Sequence, residues 1–200
     1  YNLLSKDAVW GGKFYFHNSF STLNKTNPFS TGFTLSYNTR NNSIYSKVIR
    51  LGEGFESDLG FIRRKGIFKN YFRYERRFWF KNKKIRSINV ISSLAYIDKP
   101  ENESLITDRN YRLGLQFDFN SMAGIDISLR KDYTHLEDSF NPLRSFALNP
   151  LPANSNYNYS YLEFGYKNDQ RKKISYRFEF NNGDFYNGKR MSLRTQFNYR

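Results

Sequence analysis

"RNYRLGLQFDFNSMAGIDISLRKDY" (residues 109–133) alternates apolar and polar residues almost without a break. Tyr111, Leu113, Leu115, Phe117 and Phe119 hold the odd positions, and Arg112, Gly114, Gln116, Asp118 and Asn120 the even ones. Beyond "SMAG" (121–124), Ile125, Ile127 and Leu129 alternate with Asp126, Ser128 and Arg130. Successive side chains of a β-strand point to opposite faces, so period two predicts two strands, each with one apolar and one polar face. The break between them is short enough for a tight hairpin.

The same period recurs along the chain. Strands are expected at 13–20, 31–38, 43–50, 68–80, 85–97, 158–167, 173–181 and 190–200, which with the opening pair makes about ten. In "KISYRFEFN" (173–181), Phe178 shares a face with Ile174, Tyr176 and Phe180, against Arg177 and Glu179. In "RMSLRTQFNYR" (190–200), Leu193 lies opposite Arg194. No stretch carries a helical period. Short connections at 39–42, 81–84, 121–124 and 168–172 alternate with longer ones at 21–30, 51–67, 98–108, 134–157 and 182–189. Every second connection of an up-and-down sheet lies at the same end. One end therefore has tight turns and the other has loops, as in outer-membrane barrels.

Composition agrees with a sheet that has two unlike faces. The chain carries 20 Phe and 16 Tyr, residues that favour strands, yet its mean hydropathy is −0.76. Net charge is +14, which permits nucleic acid, anionic lipid or another polyanion as partner. No apolar run approaches the ~20 residues of a spanning helix, but barrels cross membranes with alternating strands.

Alternation leaves open which face meets water. A soluble up-and-down barrel hides its apolar face inside, whereas a membrane barrel turns it to lipid. Three features favour lipid: bulky polar positions of both charges, rings gathered toward strand ends, and unequal connections at the two ends. Residues 111–119, at ~3.3 Å each and tilted ~40°, span about 20 Å, close to the height of an apolar membrane band. Leu113, Leu115, Phe117, Ile125, Ile127, Phe178 and Leu193 are thus candidates for the lipid face. Arg112, Gln116, Asp118, Asp126, Arg130, Arg177, Glu179 and Arg194 are candidates for the lumen.

Two loose motifs carry a family resemblance. One is "D-x-GF-x-R" (Asp58, Gly60, Phe61, Arg63), and the other is "G-x-(F/Y)-Y-x-G-x-R" (Gly183, Phe185, Tyr186, Gly188, Arg190). With the segment "DSFNPLRSFALNPLPANSNYNYSY", they make residues 30–200 resemble the C-terminal barrel, a domain of unknown function, of a Bacteroidetes outer-membrane family. Members of that family carry an N-terminal carbohydrate-binding module similar to family 9. The resemblance implies that residues 1–200 are one barrel segment of a longer parent chain, with a link to glycan binding or uptake. It brings no catalytic residues.

Enzyme chemistry is not expected. The chain has no Cys, and His17 and His135 lie outside any H-E-x-x-H. "THLEDS" (134–139) has the residue types of a hydrolytic triad, but a triad is recognised by geometry and a solvated loop is the plainer reading. No cofactor or metal is expected. The expectation is an all-β, antiparallel, up-and-down transmembrane β-barrel segment in a bacterial outer membrane, acting as a channel component or membrane anchor. Its partners would be outer-membrane lipid and lipopolysaccharide, with glycans or an envelope protein complex as further candidates, and no nucleic acid. The alternative is a soluble basic β-protein that binds single-stranded nucleic acid or another polyanion through rings interleaved with arginines, as in "YFRYERRFWF" (71–80).

Overall fold

The computed structural model describes residues 1–20, 26–57, 62, 64–100, 105–142 and 149–200. These form one antiparallel sheet of eleven strands in chain order. The strands are β1 (Asn2–Leu4), β2 (Trp10–Asn18), β3 (Phe29–Asn38), β4 (Asn42–Leu51), β5 (Ile67–Trp79) and β6 (Ile85–Lys99). They continue as β7 (Leu105–Phe119), β8 (Gly124–Leu136), β9 (Ser155–Lys167), β10 (Ile174–Phe185) and β11 (Gly188–Tyr199). All ten expected strands are present. The additional one, β1, is only three residues long and too short to show a period.

The up-and-down order places the connections 5–9, 39–41, 80–84, 120–123 and 168–173 at one end, here the turn end. Their chemistry is local. Asn82 Oδ1 accepts from the backbone N–H groups of Lys84 and Ile85, and Thr39 Oγ1 accepts from Asn42 N–H, as short polar side chains do in turns. Asn168 bridges its turn, donating to Ile174 O and accepting from Tyr176 N–H.

The loop end differs from the sequence expectation in two places. Residues 182–189 are not a loop: β10 and β11 run into a two-residue turn at Tyr186–Asn187, with Tyr186 at φ 54°. Residues 98–108 are mostly strand, because β6 reaches Lys99 and β7 starts at Leu105. Both stretches are rich in charged and Asn/Gly residues, and cross-strand pairing overrides that local loop propensity. The first motif falls largely on residues 58–61 and 63, outside the described residues. The second motif is the β10–β11 hairpin.

Each strand contacts only its neighbours in the sheet, so among the described residues no second layer packs on either face. Yet side chains of the polar face are covered: Ser87 and Ser128 are each 1% exposed and Asn89 is 2% exposed. In a single layer, only side chains converging on the same face can do this, so the polar face is concave. Arg112 on β7 and Arg194 on β11 line the same cavity, although four inter-strand steps of ~4.8 Å would separate them by about 19 Å in a flat sheet. The apolar face is convex and open, with Leu113 58%, Leu115 42% and Leu193 67% exposed. Ile91 is the exception. It sits at a polar-face position between Glu75 and Gly114 and is 1% exposed, filling the space that glycine leaves.

Candidate functional site: the concave polar face

Register brings the polar positions of the first-read stretch together. Across β7 and β8, Arg112 is opposite Arg130, Gly114 opposite Ser128, and Gln116 opposite Asp126. Like charges directly opposite destabilise a sheet. Each arginine is instead drawn to its own carboxylate: Arg112 donates to Asp126 Oδ1 at 2.8 Å, and Arg130 Nε to Glu163 Oε2 at 2.9 Å. Glu163 also accepts from Ser128 Oγ at 2.9 Å. On β10 and β11, Glu179 accepts from Arg177 Nε at 2.8 Å and from Arg194 Nη1 at 3.4 Å.

The pattern extends to the other side. Glu75 pairs with Arg73 and Arg77, both at 2.9 Å. Asp118 accepts from Ser87, Asn89 and Gln116 at 3.0, 3.3 and 3.1 Å. Polar groups converging on a concave, half-dry face lose water, and hydrogen-bonded pairing of opposite charges offsets that loss.

Six of the eight residues marked on the polar face, Arg112, Gln116, Asp126, Arg177, Glu179 and Arg194, line one cavity of about 460 Å³. Asp118 and Arg130 share the face but lie outside that lining. The charged side chains of the lining are Arg112, Lys167, Arg177 and Arg194 against Asp126, Glu163 and Glu179, a balance of +1. A second cavity of about 150 Å³ lies nearer the loop end and shares Glu163 and Asn181 with the first. There Tyr161 donates to Asp132 Oδ2 at 3.2 Å, while Asp132 Oδ1 is buried without a partner, and Arg190 lies over the Phe185 ring at 5.2 Å. The two cavities lie side by side, with Glu163 and Asn181 in the wall of both.

The seven residues marked for the apolar face all lie on the convex side in register. Leu115 faces Ile127 and Phe117 faces Ile125, while Phe178 faces Tyr166 and Phe180 faces Leu193. Glu163, Glu75, Asp132 and Lys167 were not singled out, although parity alone would have found Glu163, flanked by Leu162 and Phe164. The triad reading of "THLEDS" finds no geometry. Thr134 and His135 lie in β8, and His135 Nδ1 meets Asn156 Oδ1 at 2.8 Å. Among the described residues no group of three or more His, Cys, Asp or Glu has metal-binding placement.

Comparison with protein-family models, curated proteins and solved structures returns no match.

Proposed function

We propose that this chain is a segment of a bacterial outer-membrane β-barrel whose convex apolar face meets lipid and whose concave polar face lines a lumen. The observation that carries the reading is inverted burial. Across β6–β9 the sheet covers polar side chains such as Ser87, Asn89, Ser128 and Asp132, while Leu, Ile and Phe side chains of the opposite face stand open on β5 and β7–β11. Soluble monomers rarely expose apolar patches beyond a few hundred Å², and each Å² kept in water forgoes about 25 cal/mol. Lipid removes that cost, and β-barrels are one of the two backbone arrangements that can span it. The free outer edges of β1 and β11 would be paired in the closed barrel, because an open edge in lipid leaves backbone groups unsatisfied.

The role is a passage for small polar solutes or an anchor for a partner domain. The +1 balance of the cavity lining gives a passage a mild anion preference. The family likeness in the sequence adds glycan uptake as the process served. The test is folding with and without a membrane. The complete parent barrel should gain protease-resistant strands in lipid vesicles or detergent and aggregate without them. A folded, monodisperse protein in detergent-free buffer would overturn the reading.

A further inference from the structure

The two ends of the sheet carry opposite charge. The five turn-end connections hold eight Lys and Arg against Asp7 and Asp169, while the loop-end connections, among the described residues, hold Arg64 and Lys65 against Glu53, Glu56, Glu137 and Asp138. The excess charge of the connections is therefore gathered at one end. Asp169 is already paired with Arg171 at 2.9 Å, whereas Arg40, Lys81, Lys83 and Lys84 have no acidic partner among the described residues.

Beside these charges stands a built cleft. Trp79 Nε1 donates to Arg40 O at 3.2 Å, and the guanidinium groups of Arg40 and Arg77 lie over the indole at 5.6 and 5.5 Å. Arg76 lies over Phe78 at 5.5 Å and donates to Asn42 Oδ1 at 2.9 Å. Arg40, Arg76, Arg77, Trp79 and Phe80 line an open cavity of about 420 Å³. Arg77 is held by Glu75 and Asn89 and Arg76 by Asn42, so Arg40, stacked on the indole, is the arginine whose N–H edge has no acidic partner among the described residues, and such an edge suits the oxygens of a phosphate. The rings Phe78, Trp79 and Phe80 are exposed at the border of the apolar face, where aromatic belts sit.

We propose that the turn end is a phosphate-binding collar that seats the protein in a leaflet containing anionic phospholipid. The Arg40–Trp79–Arg76 cleft takes one headgroup phosphodiester, and Lys81, Lys83 and Lys84 take its neighbours. The inference rests on the membrane reading and adds to it which end meets that leaflet. Lipopolysaccharide is not the occupant, because the loop end is acidic. Nucleic acid is disfavoured because the charges stand on separate turn tips along a rim that borders exposed apolar surface, not along a groove.

The experiment is flotation of the complete parent protein with three kinds of vesicle: phosphatidylcholine alone, phosphatidylcholine with phosphatidylglycerol, and phosphatidylcholine with lipopolysaccharide. The wild-type chain should favour the phosphatidylglycerol vesicles, less so at high salt. Combining Arg40→Gln, Lys81→Gln, Lys83→Gln and Lys84→Gln should lower that preference by about fivefold per charge. Lys65→Gln at the loop end should leave it unchanged. Insertion into neutral and anionic vesicles alike, with the variant matching wild type, overturns the collar and leaves the membrane reading standing. Failure to insert in any vesicle overturns both. Preference for lipopolysaccharide, or tight salt-sensitive binding of a single-stranded oligonucleotide without vesicles, also overturns the collar.

Discussion

Leu115 and Gln116 are adjacent in the chain, yet one side chain is 42% exposed on the convex face and the other lines a cavity among paired charges. The two faces of this sheet obey opposite rules. The convex face is apolar, open and built from rings flanking aliphatic residues. The concave face is polar, more covered in its middle strands, and holds its arginines against carboxylates, Glu75 and Glu179 each serving two. In a soluble up-and-down barrel the apolar face would be the covered one, and this inversion is what the proposed membrane reading accounts for.

The sharpest way to break this comparison is to put the same residue on each face. Leu115→Arg places a charge mid-band and should cost ~2–4 kcal/mol in lipid, while Gln116→Arg should be tolerated. Denaturant titration of vesicle-folded protein measures both. Equal penalties would mean that the faces do not differ in environment.

A smaller effect concerns how tightly the concave face closes. Gly183 has φ +155°, and a Cβ there would fall 2.5 Å from Ser160 O and from Tyr161 Cα. Gly183→Ala should therefore cost ~1–3 kcal/mol through strain and displacement of Tyr161. Gly188→Ala, five residues along, meets nothing closer than Phe185 O at 3.8 Å and should change stability by less than ~0.5 kcal/mol. If thermal melts of the two variants coincide, the packing of Tyr161 over Gly183 is not a constraint.

Charge pairing comes next. Glu163→Gln keeps an acceptor for Ser128 but takes the carboxylate from Arg130, and both side chains of that pair are only about a quarter exposed. The expected cost is about 1 kcal/mol, with a rise in anion selectivity because the cavity lining moves from +1 to +2. Reversal-potential measurements on the reconstituted parent barrel would detect it. An unchanged reversal potential would place Glu163 outside the path.

The smallest effect lies at the rim, where the faces meet. Hydrogen bonds from Arg171 hold the Asp169 carboxyl at about 2, below its ordinary 3.8. A folded value below the unfolded one means that the contribution is complete above 3.8 and is lost as pH falls from there toward about 2. The 168–173 turn should thus be indifferent to mild acid. A carboxyl-carbon NMR titration of Asp169 should have its midpoint near 2, and a midpoint near 3.8 would show that the Arg171 contact is not formed.

Much of this was legible in the residues. Strand parity in 109–133 sorted Leu113 from Arg112 correctly, because it depends only on backbone pleating. Turn positions followed from where the alternation lapses, at 39–42, 81–84, 121–124 and 168–172. Less legible were β1, too short to show a period, and residues 182–189, whose polar composition suggests a loop until β11 pairs with β10 along its whole length. Ile91 would have been grouped with the apolar residues, and only its place opposite Gly114 explains its burial. The partners of Arg130 and Arg194 lie 33 and 15 residues away in sequence.

The sequence by itself determined that this protein is a sheet of alternating strands with one apolar and one polar side, because a period of two is a local property of the extended chain. Tertiary structure decided that the polar side is the concave one, which carboxylate answers which arginine, and that the basic turns gather at a single end. Those outcomes depend on curvature and register summed over many strands, and no single stretch of residues contains them.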